Sequence, residues 1–162
     1  MAARAVARPG CGGGSGVRRN WILAAAPLMM LPVLAYNLLA AALPGGLQAH
    51  VAHEKLTAAL FQMTTAPGGV WPVSASDILL AASLMVLFIE MIKSTASRRI
   101  AVINHALSMV LFVVCLVELL LAPAFATSTF FLITLMVLLD VLAGFIVTIA
   151  AARREVDLVQ DR

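Results

Sequence analysis

The chain has 162 residues, 62% of them hydrophobic and only 12% charged, with a mean hydropathy of +1.02 and a net charge of +3. Soluble domains are about half apolar and about a quarter charged, so this composition excludes an ordinary soluble domain and points to one membrane-embedded unit. The pI near 9.4 does not signal nucleic acid as a partner, because most of the basic residues flank apolar runs and read as topology determinants.

Residues 1–19, "MAARAVARPGCGGGSGVRR", are rich in Gly and Arg and lack apolar periodicity, which predicts a flexible basic tail. Four apolar stretches follow within residues 20–152, each long enough as a helix to cross a hydrocarbon layer of about 30 Å. They lie at about 21–43, 77–97, 99–121 and 129–152. The first contains Pro27 and Pro32, which a bilayer helix tolerates as a kink. Its apolar core is too long for a cleaved signal peptide, so a retained anchor is expected.

Two Pro-Gly-Gly punctuations bracket the loop between the first and second spans. Leu56, Leu60 and Met63 recur there at helical spacing, with Val51, Ala52, Ala59 and Phe61 adding apolar surface. A short amphipathic helix lying on the membrane over about 47–63 is predicted. Trp71 and Pro72 fit an interfacial anchor, and Ser76 or Asp77 an N-cap for the second span. Residues 153–162 read as a charged C-terminal tail.

Ten of the eleven Lys and Arg residues fall in the two tails and in the turn between spans two and three; Lys55 alone lies in the opposite loops. The positive-inside rule then places both termini in the cytoplasm. Cys11 and Cys115 fall at different depths in this topology and are expected to be reduced thiols.

Depth follows from the rise of about 1.5 Å per helical residue. Glu90 lies about 20 Å and Asp140 about 17 Å below the outer boundary, while Asn104 and His105 lie about 8 Å above the inner one. These four are expected to share a layer inside the midplane. Glu118 sits near the outer surface.

Faces sharpen the picture. Asn104, Ser108, Cys115 and Glu118 form one stripe on the third span; Ser83, Glu90, Ser94 and Ser97 form another on the second, with Lys93 beside it. Asp140, Gly144 and Thr148 step down the fourth. Polar and small faces turn inward in a membrane bundle, so the three stripes are expected to meet. His105 is about 100° from the Asn104 stripe, which leaves its membership open.

Most of these residues have a structural role as the simplest expectation. Lys93 is expected to snorkel to the cytoplasmic surface, and Glu90 to pair with it one turn away. Asn104, Ser108 and Thr148 read as helix–helix hydrogen-bonding groups, and Glu118 as a cap on the outer end. Asp140 has no basic neighbour on its own helix. It is expected to be neutral, or paired with His105 or Lys93, serving either as a structural partner or in proton or cation handling. "HVAHE", with His50, His53 and Glu54, is neither HExxH nor its inverse and lacks a third ligand, so no metal is expected. No cofactor fingerprint or catalytic motif is present, and no enzymatic activity is expected.

The segments "SDILLAASLMVLFIEMIKS", "INHALSMVLFVVCLVELLLAP" and "ATSTFFLITLMVLLDVLAGFIVTIAAARR" give the chain's last hundred or so residues a pattern that resembles small uncharacterised multi-pass inner-membrane proteins of proteobacteria. The resemblance implies a bacterial inner-membrane setting and carries no activity. The expected fold is therefore all-α, with four transmembrane helices and a surface helix in the first outer loop. The expected role is a helix-packing subunit or accessory, partnered by the lipid bilayer and by a membrane protein or further copies of itself. The alternative is a proton-coupled transporter or an ion-conducting oligomer.

Overall fold

The computed structural model describes residues 26–42, 49–66, 68–94 and 98–160. The elements in chain order are α1 (Met30–Ala42), α2 (Ala49–Thr57), β1 (Ala59–Thr64), β2 (Val70–Ser74), α3 (Ala75–Ser94), α4 (Arg98–Leu121), a 3-10 turn (Pro123–Phe125) and α5 (Ser128–Gln160). Three helical segments are long and apolar enough to cross a membrane: Ala75–Ser94, Val102–Leu121 and Ser128–Ala150. Each carries few charges over about 30 Å of helix, which marks the chain as a membrane protein.

α5 is the central helix. It packs along α4 and α3 and touches α1, and 39% of its apolar window is buried against 22% for α3 and α4. It runs past the expected boundary to Gln160, because "AARREVDLVQ" holds no Gly or Pro to stop a helix. The expected tail over 153–160 is therefore helical, while residues 161–162 lie outside the described residues.

α1 is shorter than the span expected over 21–43. Its 13 residues cover about 20 Å, and residues 21–25 and 43 lie outside the described residues. Pro27 precedes the helix and Pro32 sits in its first turn, where a missing N–H breaks no intrahelical bond. The prolines thus set where α1 begins instead of kinking it. Val33, Tyr36 and Ala40 form its buried stripe, continued by Met29 just before the helix.

The loop after α1 departs from the expected single surface helix. α2 ends at Thr57, whose hydroxyl donates to the His53 carbonyl at 2.7 Å. Ala52 and Leu56 are buried, and α2 packs on the 3-10 turn and on α3. Residues 59–63 then form a strand. β1 pairs antiparallel with β2 in the register Phe61↔Val73, Gln62↔Pro72, Met63↔Trp71, with an irregularity between Ala59 and Phe61. Gly68 closes the turn at φ +84°, a conformation side-chain-bearing residues avoid, and donates to the Thr65 carbonyl at 2.8 Å. The fold is accordingly mostly helical, compatible with the all-α membrane expectation, with one small hairpin where the end of the surface helix was expected.

The hairpin leads straight into α3 through a reciprocal cap. Asp77 accepts from the Ser74 backbone N–H at 2.9 Å and its hydroxyl at 2.6 Å, and the Asp77 N–H donates back to Ser74 Oγ at 3.3 Å. The capping residue is Ser74, with Asp77 three positions on, not Ser76 or Asp77. At the same end of the bundle Thr127 caps α5 by accepting from the Phe130 N–H at 3.2 Å. Tyr36 Oη lies 2.6 Å from Thr127 Oγ1 and donates to the Ala124 carbonyl at 3.3 Å. Its ring packs 4.9 Å from Phe130 and 5.7 Å from Phe125, so an aromatic cluster binds α1 to the α4–α5 connection.

Candidate functional site

α1 and α3 run antiparallel, which brings the start of α1 to the last turn of α3. There Glu90, fully buried, joins three elements. Its Oε2 accepts from the Leu28 backbone N–H at 2.5 Å, just ahead of α1. Its Oε1 accepts from the Asn104 amide of α4 and pairs with Lys93 Nζ at 3.4 Å. The carboxylate thus answers a backbone donor at a helix start, where negative charge is favoured.

Lys93 does not snorkel away. Its ammonium turns inward and donates to the Ala26 carbonyl at 2.7 Å and to Asn104 Oδ1 at 3.5 Å. The reason is visible in the geometry: the Ala26 carbonyl, the Asn104 amide oxygen and Glu90 offer three acceptors within reach of one ammonium. Every polar atom of this knot has a partner, the condition under which a buried ion pair holds helices together.

One helical turn along α4, Ser108 donates to Asp140 Oδ2 at 2.5 Å. Asp140 is fully buried, and Glu90, His105 and Lys93 lie near enough to act on its charge. This second group is incomplete. Asp140 Oδ1 and both ring nitrogens of His105 meet no hydrogen-bonding partner among the described residues. His105 is 9% exposed, and its ring lies so close over Gly144 that a β-carbon added there would run into it. The register is consistent: α4 and α5 are antiparallel, and the pairs Ser108–Asp140 and His105–Gly144 follow one another along the same contact.

The expected layer therefore resolves into two adjacent groups, Glu90–Lys93–Asn104 and Asp140–Ser108 with His105 beside them. His105 belongs inside despite its angular offset, because Gly144 leaves room for the ring. The stripe of α4 is buried at Asn104, Ser108 and Cys115. Thr148 is a correction: it is exposed and its hydroxyl bonds back to the Gly144 carbonyl at 2.9 Å, within its own helix. Ser83 and Ser94 are buried but bond back to Leu79 and Met91 in the same way. Ser97 lies outside the described residues.

At the opposite end, Glu118 accepts from Asn37 of α1 at 3.3 Å. Asn37, like Tyr36 and Thr127, was not singled out from the sequence. Asn37 follows an apolar run without periodic contrast, and its partner is 81 residues away. On α2, His53 and Glu54 are exposed, far in the chain from either polar group.

Chemically the two groups differ. The Glu90 knot is closed, with charges balanced by Lys93. Asp140 and His105 bring a carboxyl and an imidazole with unmatched atoms into neighbouring buried positions, and unmatched polar atoms in a protein interior mark strain, a functional role or a bound molecule. Comparison with known protein families, curated proteins and solved structures returned no match.

Proposed function

We propose that this chain is a four-span bacterial inner-membrane protein with both termini in the cytoplasm. It acts without catalysis, as a helix-packing subunit or accessory of a membrane assembly. The Glu90 knot carries this reading: the charged groups at the inner ends of the helices are engaged in holding α1, α3 and α4 together. Large apolar side chains such as Leu84, Phe88, Val110 and Ile146 face outward, a surface that suits lipid and neighbouring helices. Crosslinking in native membranes followed by affinity capture is expected to recover a discrete larger species. A protein that stays a lone monomer at every crosslinker length overturns the reading.

The topology has its own check. In a background with Cys11 and Cys115 replaced by alanine, cysteines at exposed Lys55 and exposed Arg153 are expected to react with impermeant maleimide from opposite sides. Labelling of both from one side removes the three crossings by α3, α4 and α5 on which the four-span arrangement is built.

A second reading, proton or cation movement through an oligomer, is favoured by the unmatched atoms of His105 and Asp140. Proton flux in liposomes is expected to fall in Asp140→Asn and in Glu90→Gln if this reading holds. Flux equal to wild type in both variants removes it.

A further inference from the structure

The hairpin stands out from the rest of the fold. β1 is exposed along its whole length and β2 over residues 70–72. In an antiparallel pair, opposite residues share a face and neighbours along a strand alternate. The register therefore puts Phe61, Met63, Trp71 and Val73 on one face, and Gln62, Thr64, Val70 and Pro72 on the other. Val73 is buried at the base, whereas Phe61, Met63 and Trp71 are each about half exposed. One face is thus wholly apolar, and Gln62 and Thr64 make the other polar along β1. No charged residue occurs from 56 to 76.

Three surroundings compete for the apolar face. Water is the poorest, because three large exposed apolar side chains on a lone two-stranded hairpin leave it marginally stable. A strand from another chain would need a clean edge to pair with. Pro72 interrupts the β2 edge, having no N–H to offer, and the irregularity between Ala59 and Phe61 breaks the start of β1. The boundary of the bilayer is the surrounding that the fold supplies at this point. β2 ends at Ser74, whose side chain caps α3, and the apolar span begins with the next residue, Ala75. No strand residue of β2 lies more than about 13 Å from that point.

We propose that the hairpin lies flat on the bilayer at the end where α3 begins, with Phe61, Met63 and Trp71 set into the lipid between head groups and acyl chains. Gln62, Thr64 and the unpaired backbone groups of both edges face the head groups and water, since hydrocarbon would leave them without partners. A tryptophan suits this depth, with an apolar ring and one N–H. The lipid-facing set is therefore a strand face and not a helical stripe, and Leu56 is buried in protein. The inference goes beyond the packing role and requires only that α3 crosses the membrane.

The test uses the full-length chain in phosphatidylcholine nanodiscs, with Trp21→Phe so that Trp71 is the single tryptophan. Its fluorescence is expected to be quenched about twofold more strongly by lipid brominated near the head group than by lipid brominated near the chain ends, and to be shielded from aqueous acrylamide. With Trp71→Phe added, Phe61→Trp and Met63→Trp are expected to behave as Trp71 does, while Gln62→Trp and Thr64→Trp stay open to acrylamide. Acrylamide quenching of Trp71 as strong as that of free tryptophan overturns the proposal and puts the hairpin in water. So does emission shielded from acrylamide and brominated lipid alike, which would mean that a second copy or another protein covers the face. Equal quenching by lipid at positions 61, 62, 63 and 64 overturns the one-sided arrangement.

Discussion

Glu90→Leu is expected to destabilise the bundle by about 3–5 kcal/mol, because it removes one partner of a buried ion pair and leaves the other behind. Lys93 would keep the Ala26 carbonyl and a long contact to Asn104, while the Leu28 N–H and the Asn104 amide would lose their acceptor. Glu90→Gln retains one carbonyl oxygen and is expected to fall between the two. The double variant Glu90→Leu, Lys93→Met is expected to recover most of the loss, since replacing both members of a buried pair by apolar groups is often neutral or stabilising. Unfolding in detergent followed by circular dichroism measures all three. A loss below about 1 kcal/mol in Glu90→Leu would be the value of an exposed pair, and the closed knot would no longer account for how α1 is held.

That prediction depends on a contact only half legible in the sequence. Glu90 and Asn104 could be placed at similar depth by counting residues from the starts of their helices, and the polar stripe of α4 by its spacing alone. Both methods work because a helix has a fixed rise and a fixed angle per residue. Neither could show that the backbone at Ala26 and Leu28 would complete the knot. Backbone groups look alike in every sequence, and the helix start that exposes them depended on where Pro27 and Pro32 would fall in α1.

The hairpin was missed for a related reason. Leu56, Leu60 and Met63 fit a helical face, yet three residues cannot distinguish a helix from a strand next to a turn. The deciding signals were Gly68, with its positive φ, and the "VWPV" run of β-branched and aromatic residues. The Ser74–Asp77 cap was legible in principle as Ser-x-x-Asp before an apolar run. Lys93 teaches the converse: its length permits it to reach water, but three acceptors inside the bundle outweigh that freedom.

Gly144→Ala tests the other polar group. In a helix that makes no special contact, this substitution is favourable by about 1 kcal/mol, since alanine is the better helix former. Here the new methyl group would occupy the space of the His105 ring, which is fixed to α4 by only two rotatable bonds and cannot withdraw without moving the backbone. The expected result is therefore opposite in sign, a destabilisation of about 1–3 kcal/mol, the usual cost of overpacking. Removing the ring restores the space, so in a His105→Ala background the same substitution is expected to become neutral or favourable. The resulting coupling exceeds about 1 kcal/mol, well above the additivity of independent sites. Stabilisation by Gly144→Ala in both backgrounds would mean that the imidazole does not lie on α5, and the side-by-side burial of His105 and Asp140 would have to be abandoned with it.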